Sequence, residues 1–232
     1  MSNFLELKDI SKSFESEKKI DVLKRLSFKF KRGKLYVLMG PSGSGKSTLL
    51  NLISLIDKPS SGSIKFDNAK INFTEKNKND IFRANNIGII YQQNNLLPDF
   101  TALENVYLAS LSNNNNKDLA TSKAKDLLEK VGLSNRLNYF PSQLSGWESQ
   151  RVAIVRAIIN DPSIILADEP TGSLDMNTAK NIFKLLNDQK KLNRTIIFAT
   201  HNRFFANKAD YLLEIKDGSI KTTNAWVIKS KF

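Results

Sequence analysis

A chain of 232 residues, 41% hydrophobic and 25% charged with both signs present, can bury a large core, either as one domain or as a core with an inserted subdomain. It has no cysteine, which excludes a disulfide framework and a thiolate zinc site. Its net charge of +12 is scattered (Lys18-Lys19, Lys31-Arg32, Lys190-Lys191) rather than gathered on one arm, which favours a solvated lysine-rich surface over a nucleic-acid footprint.

The first residues, MSNFLELKDI, have neither the basic start nor the apolar core of a signal peptide, and no stretch of about 18 uncharged apolar residues occurs. The expectation is therefore a chain that does not span a membrane by itself. Leu5 and Leu7 alternate with charged residues, as do Leu26, Phe28 and Phe30, which reads as two half-buried antiparallel strands. Leu35 to Met39 is a continuous apolar run between Gly33 and Gly40, so it reads as a strand buried on both faces. Ser47 to Ile56 then shows helical spacing through Leu49, Leu50, Leu52, Ile53 and Ile56. Three more short apolar runs, Ile87 to Tyr91, Ile164 to Ala167 and Thr195 to Ala199, have the character of central parallel strands with functional carboxyl ends. Residues 94 to 160 read as helical. Ala120, Ala124, Leu127, Leu128 and Val131 share one helical face there, and Gly132 marks a stop. Asn113 to Asn116 is a low-complexity surface loop, and Asp217-Gly218 turns a C-terminal hairpin.

Gly40-Pro41-Ser42-Gly43-Ser44-Gly45-Lys46-Ser47 satisfies G-x-x-x-x-G-K-[ST], with a buried strand before it and a helix from Ser47 and Thr48 after it. Glycines let several backbone N–H groups converge on one anion at the positive end of the helix. Lys46 is placed to reach the β- and γ-phosphates of a nucleotide, and Ser47 to ligate Mg²⁺. A glycine-rich turn arising by chance would lack that strand–turn–helix setting. Asp168 and Glu169 close the Ile164–Ala167 strand: the first can hold Mg²⁺, and the second can polarise a water as general base.

With these motifs in this order, the chain resembles the ATP-binding subunits of ABC transporters over nearly its whole length. Tyr91-Gln92 resembles the Q-loop, and Leu144-Ser145-Gly146 with Glu148, Gln150 and Arg151 resembles the signature segment. Asp168-Glu169-Pro170 is similar to the extended Walker B, Ser173-Leu174-Asp175 to the D-loop, and Ala199-Thr200-His201 to the H-loop. The resemblance implies a RecA-like α/β core with an N-terminal antiparallel β-subdomain (together 1–93 and 161–232) and an inserted helical subdomain (94–160). It implies that Phe14 stacks on adenine, that Gln92 touches the cation and the attacking water, and that His201, the only histidine, contacts the γ-phosphate or orients Glu169. It also implies that Ser145, Gly146, Trp147 and Asp175 face a nucleotide shared with a second subunit. The partners implied are a second ATPase subunit, the same or different, and a separate integral membrane permease, which would hold the chain at the cytoplasmic face of the membrane; neither nucleic acid nor zinc is expected. Asn94-Asn95-Leu96-Leu97-Pro98, Thr101 to Val106 and Thr171 to Asp175 are closest in wording to the lipoprotein-release and macrolide-export branch.

One departure stands out. The family's signature has two glycines after its serine, and here Trp147 takes the second place, while Ser149 stands where the branch has Gln. An indole there could block subunit approach and weaken hydrolysis, or could pack aside into the helical subdomain. The first possibility motivates two alternatives to a self-sufficient engine: a weakly or non-hydrolysing regulatory module, and a mixed dimer. A soluble nucleic-acid-associated ATPase of the same family is the remaining alternative, disfavoured because the chain has one cassette and no coiled-coil or zinc insertion.

Overall fold

Alternating apolar and polar residues pair the first two strands. In the computed structural model, which describes residues 3–15, 19–112 and 116–224, β1 (Asn3–Glu15) and β2 (Lys19–Lys31) run antiparallel. Leu5, Leu7, Leu26 and Phe30 are buried on one face, while Glu6 meets Lys29 at 3.2 Å on the other. No periodic pattern in the sequence marks an element between 57 and 86. The structure places there β4 (Ser61–Phe66) and β5 (Ala69–Lys70), which extend this sheet in the order β2-β1-β4-β5, and α2 (Lys76–Asn86). Asn113–Asn115 of the expected asparagine loop lie outside the described residues.

The apolar runs form the second sheet. β3 (Leu35–Met39), β6 (Ile87–Ile90), β7 (Ile164–Asp168), β8 (Thr195–Ala199), β9 (Tyr211–Lys216) and β10 (Ser219–Asn224) lie in the order β10-β9-β3-β8-β7-β6. All neighbours are parallel except the β9–β10 hairpin, turned by Asp217 and Gly218 at φ 54° and 78°. Side chains alternate across a strand, so each run feeds two cores. Tyr36, Leu38, Leu166 and Ile197 pack towards the first sheet with Leu49, Leu52 and Ile53. Leu35, Val37, Ile165, Ile196 and Phe198 pack on the opposite face.

That opposite face is covered by α5 (Gly146–Ile158), α6 (Met176–Asp188) and the short α7 (Arg203–Ala206). A third core lies between α3 (Ala102–Leu111), α4 (Lys117–Lys130) and α5. Helix α5 belongs to both: Ile154, Ala157 and Ile158 face the sheet, whereas Val152, Val155 and Ile159 face α3 and α4.

Two expectations need correction. The helix after the glycine-rich turn, α1, spans Lys46–Ile53 rather than running to Ile56. Leu55 takes φ 60°, a left-handed conformation that a right-handed helix cannot absorb, and Ile56 is left 51% exposed. Residues 94–101 are not helical. Asn95 is left-handed at φ 47°, and Thr101 starts α3 by a capping box in which its side chain accepts from Glu104 N and Glu104 accepts from Thr101 N. Among the described residues, no helix is long and apolar enough to cross a membrane.

Candidate functional site

The glycine-rich turn joins β3 to α1 and curls around an open cavity of about 620 Å³. Gly40 is indispensable to that curl: at φ 155°, a Cβ there would lie 2.6 Å from the Ile215 carbonyl oxygen. Gly45 caps α1 without any side-chain bond, so the first-turn amides of the helix remain available as donors. Lys46 Nζ donates to the carbonyls of Gly40 (2.9 Å) and Pro41 (3.2 Å), which holds its charge over the middle of the turn.

Gly40, Pro41, Ser42, Gly43, Ser44, Gly45, Lys46, Ser47 and Thr48 line this cavity, and Gln92, Asp168, Glu169 and His201 line it as well. The last four come from the ends of β6, β7 and β8, the carboxyl edge of the parallel sheet, where an α/β fold presents its loops. Gln93 is not among the lining residues. The Ser47 hydroxyl, the Gln92 amide and the Asp168 carboxylate, all lining the same cavity, offer oxygen donors of the kind that suit a hard divalent cation such as Mg²⁺. Among the described residues no three His, Asp or Glu side chains gather as a metal site.

Glu169 follows β7 in a left-handed conformation, φ 45°, fixed by its N–H donating to the Ala199 carbonyl at 3.0 Å. That turn sends its carboxylate towards His201, whose Nδ1 lies 3.1 Å away. The imidazole is largely exposed, at 74%, and the carboxylate largely covered, at 13%.

The remaining sequence candidates lie outside the cavity. Phe14 is 45% exposed near the end of β1, with Lys12 Nζ 5.0 Å from its ring centroid. Asp175 caps α6 by accepting from Asn177 N (2.9 Å) and Thr178 N (3.1 Å), and hydrogen bonding from the Thr178 side chain, then from these amides, holds its carboxyl below the usual range. Ser145, Gly146 and Trp147 open α5; Ser145 caps it and accepts from Glu148 N at 3.2 Å. The chain therefore does not bring its own signature segment to its own cradle. Val22 of β2 forms part of the cavity wall, a tertiary neighbour without a local signal in the sequence. Gly172, within the Thr171–Asp175 stretch, stands close enough to Gln92 that a Cβ would meet its Nε2 at 3.2 Å, a contact that only the fold reveals.

Known proteins resemble this chain in sequence and in fold. The ABC transporter family profile matches residues 23–172. The lipoprotein-releasing system ATP-binding protein LolD of Rickettsia bellii is 44% identical over 95% of this chain and 99% of its own. An uncharacterized ABC transporter ATP-binding protein of Methanocaldococcus jannaschii, MJ1508, is 40% identical over 93% of this chain and 97% of its own. Among solved structures, the dimeric ATP-binding cassette MJ0796 in a post-hydrolysis state with ADP and Pi superposes with a TM-score of 0.88 at 36% identity, covering 95% of this chain and 98% of that one. These relatives favour a hydrolysing engine over the regulatory and nucleic-acid alternatives. The chain belongs to the ABC transporter family, as an ATP-binding and ATP-hydrolysing subunit with the ABC ATPase fold.

Proposed function

We propose that this chain dimerises around two ATP molecules and uses their hydrolysis to drive a separate membrane permease from the cytoplasmic face. The relatives named for lipoprotein release make a complex of that kind the working choice of partner. The observation that carries the chemistry is the Glu169–His201 pair at 3.1 Å on the rim of the cradle. Glu169 takes a proton from water as the water oxygen attacks the γ-phosphorus and the bond to ADP breaks; His201 holds the carboxylate in place. Lys46 and the cradle amides meet the charge that develops on the phosphate oxygens. Ser47, Asp168 and Gln92 would hold Mg²⁺, which supplies further neutralisation of that charge when bound. Phe14 offers a π-face to the adenine, and Ser145, Gly146, Trp147 and Asp175 serve the partner's nucleotide.

For the permease, a second cavity of about 500 Å³ between α2, β6 and the carboxyl ends of α3 and α5 offers a dock, with Arg83, Arg156 and Asn160 on its walls. The test is ATP hydrolysis by purified Glu169→Gln beside the parent. Turnover falls by a factor of about a thousand or more, while ATP binding by equilibrium dialysis stays within about threefold. Retained turnover in the variant would remove Glu169 from its role as base.

A further inference from the structure

The segment that opens α5 contains a residue whose bulk has no place in the role assigned to its backbone. Ser145 and Gly146 are both exposed, and a Cβ built on Gly146 would meet nothing within 4 Å. Trp147 is different. It is half-buried, packed against the core on the α5 side of the parallel sheet, and the Arg151 guanidinium lies 4.5 Å from its ring centroid, one helical turn along. The open face of the segment is therefore presented by Ser145 and Gly146, and the indole is turned away from it.

Arg151 connects this stack to a second element. Its Nη1 donates to the Val131 carbonyl at 2.5 Å, at the carboxyl end of α4. The approach is tight: a Cβ on the next residue, Gly132, would stand 3.2 Å from the same Nη1. A parallel arm runs from Glu148, which accepts from Ser145 N (2.8 Å) and from Arg136 Nε (2.8 Å). The capping box uses the amides of Ser145 and Glu148. The two amides between them, of Gly146 and Trp147, head the helix and have no partner further back in it.

We propose that Trp147 is a positioning residue: by stacking on Arg151 it braces the first turn of α5 against the end of α4, so that the Gly146 and Trp147 amides point at the nucleotide of the partner subunit. The side chain acts through Arg151 and does not touch the nucleotide. This rests on the dimer reading given above. Of the two possibilities that the sequence leaves for this tryptophan, it takes the one in which the indole packs aside, and gives that packing a task.

The test combines Trp147→Ala, Trp147→Phe, Arg151→Ala and the Trp147→Ala/Arg151→Ala double variant. Each is measured for steady-state hydrolysis and, in a Glu169→Gln background, for ATP-driven dimerisation by light scattering. Trp147→Ala and Arg151→Ala each lower kcat about tenfold and raise the protein concentration needed for the dimer by a similar factor, with KM for ATP within about twofold. The double variant is no worse than either single one, because both remove the same brace. Trp147→Phe keeps a π-face over Arg151 and retains at least about half of parental kcat, which separates bracing from a general loss of folding. Turnover in Trp147→Ala equal to or above the parent would overturn the proposal, as would additive losses in the double variant. If Glu169→Gln itself forms no dimer with ATP, the dimer reading falls and this proposal with it; a normal dimer unaffected by Trp147→Ala sinks the proposal alone.

Discussion

Tyr36 shows how a single side chain in β3 ties the two sheets together and makes stability depend on pH. It is 1% exposed, stacked on Tyr211 with ring centroids 4.9 Å apart, and its hydroxyl accepts from Lys31 N at 2.7 Å. Burial pushes its pKa up to about 12 from 10.0. The neutral phenol is thus favoured in the folded chain. Its contribution is complete below pH 10, where the unfolded phenol is still protonated, and is lost as pH rises towards 12, at a slope of up to about 1.4 kcal/mol per pH unit. Tyr36→Phe should flatten that alkaline decline in urea melts between pH 9 and 11.5. At pH 7 it should cost about 1 kcal/mol by leaving the Lys31 amide without its acceptor. Equal slopes in parent and variant would show that another group controls the decline. The single residues of the cradle were legible because their spacing is local: the turn that carries Lys46 and the acids that close β7 are contiguous in sequence. Val22 and the Gly172–Gln92 contact were not legible, since they become neighbours only when β2 and the loop after β7 fold onto the turn.

At the scale of elements, α5 connects the most regions. Its first turn carries the signature segment, its two faces serve two different cores, and its last turns hold loops from elsewhere in the chain. Arg156 donates to the carbonyls of Asn94 (2.6 Å) and Asn95 (2.7 Å), two and three residues beyond Gln92. Asn160, just past the helix, donates to Ala84 O (3.1 Å) and Ala109 O (2.9 Å), joining α2 to α3. Removing the Arg156 guanidinium strands two carbonyls that have no regular strand or helix to satisfy them. Arg156→Ala should cost about 1–3 kcal/mol in denaturant melts and speed hydrogen exchange of the amides between 91 and 97 more than those of β7. Uniform acceleration throughout the chain would mean that Arg156 supports the fold as a whole and not that loop. Strands β7 and β8 were readable because short apolar runs rich in β-branched residues and buried on both faces leave no other use for their residues. Helix α2 was not, since its exposed Ile81 and half-buried Phe82 give only one apolar pair in eleven residues. The α6 signal is plain in the sequence: Ala179, Ile182, Phe183 and Leu186 keep helical spacing after the Asp175 cap.

For the molecule as a whole, the decisive fact is a separation. One chain carries a complete cradle with its acids and histidine, and also a capped, outward-facing signature segment, yet the cavity of the first is lined by none of the second. The proposed dimer, with a composite site built from two chains, would resolve this, and the similar cassette MJ0796 has been solved as a dimer with ADP and Pi. Such a site can be tested by complementation. Lys46→Ala disables both cradles of its own dimer, and Ser145→Arg, a large charged side chain on the exposed cap, disables both signature segments. Each alone should be nearly inactive. In an equimolar mixture half of the dimers are mixed, and each mixed dimer pairs one intact cradle with one intact signature segment. Recovery of up to roughly a quarter of parental turnover follows from that symmetry, provided one site can fire without the other. Recovery that peaks at the equimolar ratio supports the shared site. If Ser145→Arg alone hydrolyses ATP like the parent, each chain completes its own chemistry, and the exposed cap on α5 serves something other than the partner's nucleotide.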